Sequence, residues 1–475
     1  MSGVTSMLRF THPRTRMVLA LGFLSVLVSG TLLGSAGAPQ ARAATQSAAT
    51  SGVACTTGAG TNPTFNLTTK AGYINLPDGT TAYTWGYSEG SHPFQHPGPV
   101  LCVNEGDTVT IVLKNSFTTS SPKSAPAVSM IFPGQAGVTE DGTPSQPVID
   151  GSGVLTSLAK PAQPGGGTVT YSFVASRPGT FLYESGGGQK SSGTPSLYSS
   201  PQVQVRMGLF GALIVRPTLG PNYANDRVDS RFNADTEFLA LLSEIDPYLN
   251  AAVLKGTRSF DMTRYHPRYW LINGRGFPDS IADNFASWLP AQPYGSLATI
   301  HPQDNNQLLA DNVTPNPAYN PYPALDRYLS VGTEDYPFHP HGNNGKVIAR
   351  DGAPLEGPGG EDMSFDKFSV NIGPGQTWDV LFNWRDAEGY SSADKPVPAS
   401  EPDLQNLRVG MFYGGSPYLG ETQPMPPGTS TLNECGEFYI IAHNHALYQI
   451  TSWGVNMTGP ITYTRVDPPL PNACP

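Results

Sequence analysis

Gly211-Ala212-Leu213-Ile214-Val215, followed at once by Arg216-Pro217-Thr218-Leu219-Gly220-Pro221, decides how the chain is read. A short, uninterrupted apolar run that ends in a Pro/Gly segment is the pattern of a strand closing one domain before polar sequence begins. Runs of the same kind recur at Thr108 to Leu113, Thr168 to Phe173, Glu237 to Leu242, Lys346 to Ala349, Trp378 to Phe382 and Phe438 to Ala442, most with Gly, Pro, Asn or Asp close to their ends. Helical periodicity is nearly missing. Its only candidates are short pieces around Asp279 to Ser287 and, competing with a strand, Thr236 to Leu242. The expected class is an all-β sandwich.

The boundary places a first domain at 52–217 and a second, elaborated one at 230–475. The second carries Pro-rich insertions at 290–325 and 395–430, and a further split near residue 390 gives three domains as the alternative. Ahead of them, Arg9, Arg14 and Arg16 precede an apolar run from Met17 to about Leu33 and the small-x-small triplet Ala41-Arg42-Ala43. The alternative to a signal peptide over 1–43 is a membrane anchor, but Gly22, Ser25, Ser29 and Gly30 break the run short of the ~20 residues a spanning helix needs. A cleaved signal implies a secreted, extracytoplasmic protein with no transmembrane segment left after cleavage.

Four cysteines remain beyond that segment, with no zinc-site spacing, and an even number in an exported chain favours disulfides. Of the three connectivities, Cys55 with Cys102 and Cys435 with Cys474 is preferred, because each then ties a terminal segment to its own domain. The net charge of −10 argues against nucleic acid or an anionic membrane as partner, since both need clustered Lys and Arg. Gly (52) and Pro (46) are abundant, yet the recurring Val, Ile, Leu, Phe and Tyr runs between them suit an all-β protein with long loops better than disorder.

Several segments, taken in order, resemble the multicopper oxidase family. Pro97-Gly98-Pro99-Val100 with Glu105-Gly106-Asp107 is similar to the start of that family's first cupredoxin domain. Gly179-Thr180-Phe181-Leu182-Tyr183-Glu184-Ser185-Gly186 and Met207 to Val215 are similar to its end. Tyr269 to Gly274 and Ile372 to Leu381 resemble second-domain signatures. Tyr336-Pro337-Phe338-His339-Pro340-His341-Gly342 resembles the His-Pro-x-His-x-His-Gly motif, and Ala442-His443-Asn444-His445 the His-Cys-His motif. The resemblance implies cupredoxin-like Greek-key sandwiches, and in such oxidases a type 1 copper and a trinuclear cluster. A type 1 centre needs two histidines and a thiolate. The matching positions here are Tyr336, Asn444 and Gln449, so a blue copper centre is not expected. The first-domain His-x-His motifs align with Ile131-Phe132-Pro133-Gly134 and Glu184-Ser185-Gly186, so both of those pairs are absent as well.

What survives is His339 with His341, and His443 with His445. Residues i and i+2 of a strand project from one face, so each pair presents two imidazoles to one point, and two such strands side by side would hold one metal ion. Four imidazoles suit Cu(II), Zn(II) or Ni(II), with copper favoured by the affinity order. The alternative is that the pairs are relics in a polar pocket. Glu184 is a weaker candidate, as a carboxylate facing the histidines. His92 and His96, in a Pro-rich loop, read as surface residues, and His266 and His301 have no partner nearby in sequence. Serine-hydrolase, zinc-protease and phosphate-loop motifs are missing.

Two functions follow as expectations. One is a secreted multicopper-oxidase-like protein with a single copper, or another transition metal, on the four histidines and no laccase-type dioxygen reduction. The other is a metal-free extracellular scaffold or binding module. The resemblance is to oxidoreductases, but the incomplete ligand set leaves catalysis, substrate and partner open. A complete oxidase would need about ten histidines and a free cysteine, and only eight histidines lie beyond residue 43.

Overall fold

The computed structural model describes residues 45–46, 51–118, 125–189, 197–257, 259–384, 438–469 and 472. The expected signal segment, the Cys435–Cys474 pairing and the split near residue 390 with its insertion at 395–430 lie outside the described residues. The described residues from 45 onward form one compact unit.

The seven sequence runs are all strands. Two of them explain the architecture. In Phe210–Arg216, Leu213 and Val215 pack into one core with Trp85, Tyr171 and Phe181, while Phe210, Ala212 and Ile214 face the other way into a second cluster. In Glu237–Ile245, Leu239 and Leu241 enter that same second cluster, and Ala240 and Leu242 enter a third with Trp270, Tyr336 and Phe338. A strand apolar on both faces must be covered on both faces. Each fully buried Leu or Ile there contributes about 1.5–3 kcal/mol relative to exposure.

Four sheets result. Phe210–Arg216 lies in a six-stranded sheet between Val100–Asn104 and Gly179–Ser185. Facing it is a second six-stranded sheet built on Thr64–Asn75, Thr108–Asn115 and Gly167–Val174. Glu237–Ile245 lies in a nine-stranded sheet between Ala324–Ser330 and Tyr269–Ile272, facing a five-stranded sheet of Ala298–Ile300, Ile461–Val466, Phe438–Asn444, Tyr336–Pro340 and Val370–Ile372. These are two β-sandwiches joined through the apolar layer that the two-faced strands share. The all-β class is as the sequence indicates.

At the same junction Glu237 accepts 2.6 Å hydrogen bonds from both Arg216 and Arg327. Arg327 also donates to Thr180 Oγ1 of the first sandwich, 2.7 Å away, and pairs with Asp379 at 3.4 Å. Burial opposes ionisation of Glu237, but the Arg216 and Arg327 guanidiniums outweigh it and hold its pKa down to about 2. Cys55 and Cys102 form the expected disulfide between neighbouring parallel strands. Closing that 47-residue separation restricts the unfolded chain by about 4 kcal/mol.

The helical expectations need correction. Around Asp279 only a 3-10 turn forms, Asp279–Ile281, and Thr236 to Leu242 belongs to a strand because both its faces are buried. A nine-residue helix that the periodicity did not indicate runs over Pro247–Lys255.

Candidate metal centre

Tyr336–Pro340 and Phe438–Asn444 are antiparallel neighbours, and His339 stands directly opposite His443. The pairing continues past both strand ends: the His341 amide donates to the Ile441 carbonyl at 2.9 Å and the His445 amide to Pro337 at 2.7 Å. All four imidazoles therefore leave the sheet on one face. Their ring centroids lie 4.6 Å (His339–His341), 5.1 Å (His341–His443), 5.3 Å (His339–His445) and 5.5 Å (His443–His445) apart. The adjacency that a shared site requires is present.

The Nε2 atoms of His341 and His443 are 3.1 Å apart. Two imidazoles on one tetrahedral ion with ~2.05 Å bonds would have nitrogens roughly 3.3 Å apart. Nδ1 of His443 is bonded to the Asn444 carbonyl at 2.8 Å and Nδ1 of His339 to the Phe368 carbonyl. Both contacts occupy Nδ1 and leave Nε2 as the coordinating atom, that of His443 facing His341, which is how ligating histidines are usually oriented. Burial first, and then the neighbouring imidazoles, push His341 down to about 4. Burial also lowers His443, against the pull of the Asn444 carbonyl. A neutral imidazole is the form that binds metal. The cluster opens to solvent through a depression of about 460 Å³ bordered by His339, His341, Asn343 and Phe368. Among the described residues, no three His, Cys, Asp or Glu side chains stand in a finished metal-binding arrangement. His341 and His443 are close to one, and the exposed His445 and half-buried His339 would have to turn toward them.

The opposite face of the same strands explains the missing blue centre. Tyr336 and Asn444 point inward, and both are fully buried. The Tyr336 hydroxyl donates to Glu244, which also accepts from the Thr333 backbone at 2.6 Å. The Asn444 amide donates to Gln449, and Gln449 and the Trp270 indole donate to Glu334 at 2.8 and 2.9 Å. A hydrogen-bonded network with no thiolate fills the position, and its donor set does not fit a type 1 copper.

In the first sandwich, Glu184 and Ser185 pair with Ile131 and Met130 across neighbouring strands. The two motif segments thus meet in space as well, but they carry no imidazole. Burial raises the Glu184 carboxyl, and no contact among the described residues links it to the histidines. His96 is not a surface residue: it is 1 % exposed, with Nδ1 3.4 Å from the Trp85 carbonyl and its ring edge against Phe210.

No family model matches the sequence. The fold is that of a multicopper-oxidase-like protein with cupredoxin sandwiches. It is similar to a multicopper oxidase designated mgLAC (TM-score 0.51, 18 % identity, 85 % of this chain and 86 % of that one) and to the blue copper oxidase from Nitrosomonas europaea (TM-score 0.51, 18 % identity, 85 % of each). Over 208 residues the sequence is 29 % identical to an L-ascorbate oxidase from Cucurbita maxima. That match covers 42 % of this chain and 29 % of the oxidase, so the chain spans under a third of that relative's length.

Proposed function

We propose that this is an extracytoplasmic, multicopper-oxidase-like protein that binds one transition-metal ion, copper before others, through His339, His341, His443 and His445, without laccase-type reduction of dioxygen. The reading rests on the convergence of four imidazoles from two paired strands, with the 3.1 Å approach of His341 and His443 Nε2 as its sharpest feature. When bound, such an ion supplies a single Lewis-acidic, one-electron centre. The chain's own contribution is to hold His339 and His443 through their Nδ1 contacts and keep His341 unprotonated near neutrality. The electron entry of four-electron chemistry is lacking, because Tyr336 donates to Glu244, Asn444 to Gln449 and Gln449 to Glu334, and none of the three offers sulfur. The Cys55–Cys102 disulfide, together with the lack of any described helix long and apolar enough to cross a membrane, supports an extracytoplasmic setting.

A second reading keeps the fold as a metal-free scaffold, since 3.1 Å also suits one imidazole donating to the other. Replacing all four histidines with alanine separates the two. Loss of copper retained through dialysis, together with loss of copper-induced thermal stabilisation, is the outcome expected for the metal site. Unchanged metal content and melting would favour the scaffold.

A further inference from the structure

A groove of about 880 Å³ opens between the helix Pro247–Lys255 and the segment that follows it, within the size range of ligand sites. Tyr248 and Phe260 are its aromatic lining, and Trp453 stands beside it against Tyr248 and Arg268. Tyr248 is 60 % exposed and meets the edge of Trp453, itself 48 % exposed, at 6.0 Å, and the Arg268 guanidinium lies 5.3 Å over the Trp453 ring. Trp453 occupies the tip of the hairpin joining Thr451–Ser452 to Val455–Asn456, with φ +52° and Gly454 at +79° after it. A two-residue turn with both φ values positive prefers Asn-Gly, and a bulky side chain at the first position is costly. The hairpin therefore keeps a large indole half in solvent at a place where asparagine would be relaxed.

The charge of the groove is opposite to that of the chain. Lys255, Arg264 and Arg268 line it, and no carboxylate among the described residues forms an ion pair with any of them. The one lining acid, Asp261, is engaged with the Thr263 amide (3.0 Å) and hydroxyl (2.7 Å). Three cations against one carboxylate leave a locally positive groove on a protein of net charge −10.

We infer that this groove binds an acidic oligosaccharide, with a pyranose ring against Tyr248 and the neighbouring Trp453 and uronate carboxylates on Lys255 and Arg264. Electron-rich ring faces attract the polarised C–H face of a sugar, and the exposed Lys255 and Arg264 pair with carboxylates at no cost in broken ion pairs, whereas the half-buried Arg268 already donates to the His266 and Pro267 carbonyls. A volume of about 880 Å³ suits a few linked sugars better than one small ring.

Calorimetric titration of the full chain with trigalacturonate, and with its neutral galactose counterpart, tests the assignment. Saturable binding of the uronate trimer is expected, at least tenfold weaker for the neutral trimer. Trp453→Asn should lose at least tenfold in affinity without a fall in melting temperature, because asparagine accepts the positive φ. Lys255→Ala/Arg264→Ala should lose a similar factor. No saturable binding of the uronate at millimolar concentration, equal binding of the neutral trimer, or unchanged affinity in Trp453→Asn would each overturn it.

Discussion

At the scale of single residues, environment decided what the sequence left ambiguous. His339, His341, His443 and His445 were legible because the His-x-His spacing, together with strand geometry, limits where the rings point. His96 was not, because its Pro-rich surroundings look like an exposed loop, whereas the loop folds under Phe210 and Trp85. Burial pushes the His96 imidazole down to about 4. Its pKa in the unfolded chain is near 6.5, so below that pH the unfolded state takes up a proton that the folded state refuses. Stability should fall as pH drops from about 6.5 toward 4, with this residue contributing at most ~3 kcal/mol. Urea unfolding across that window should show the slope in the parent protein and a flatter profile in His96→Gln. An identical slope in both would remove His96 as the cause.

At the scale of elements, short apolar runs bounded by turn residues reported strands reliably, because a segment buried on both faces has little freedom to be anything else. The helix Pro247–Lys255 escaped because its apolar residues are spread round it, with Leu249 and Val253 buried but Tyr248 and Leu254 exposed, so no single stripe stands out, yet its punctuation was present in the sequence. Asp246 caps the Tyr248 and Leu249 amides, Pro247 takes the first turn, and Gly256 closes the helix at φ +72°. Asp246 also accepts from the His266 amide at 2.8 Å, so one carboxylate fixes both walls of the groove. Asp246→Ala should cost roughly 1–2 kcal/mol in chemical denaturation, the range of a lost N-cap plus an orphaned amide. A change below the error of the measurement would show that the cap is dispensable.

At the scale of the whole molecule, the sandwiches share an apolar layer crossed by the Arg216–Glu237–Arg327–Thr180–Asp379 network, whose members are far apart in sequence and had no local signature. Removing one charge from such a set leaves its partners buried and unpaired. Arg327→Met should therefore destabilise by about 3–5 kcal/mol, whereas the exposed pair Lys346–Asp362 should matter little when broken. Because the Glu237 pKa is held down to about 2, below its unfolded value, its contribution is present above about pH 4.3 and is lost as pH falls through 2. An acid-unfolding curve that Glu237→Gln leaves unshifted would contradict this.

We propose a cupredoxin fold with one imidazole metal site and no blue centre. The most direct measurement is elemental analysis combined with visible and EPR spectra of the chain, purified without a histidine tag and dialysed against copper. About one copper per chain, nitrogen-coordinated, with no intense blue band is the expected result. A chain that retains no copper, or one that turns blue, would contradict it.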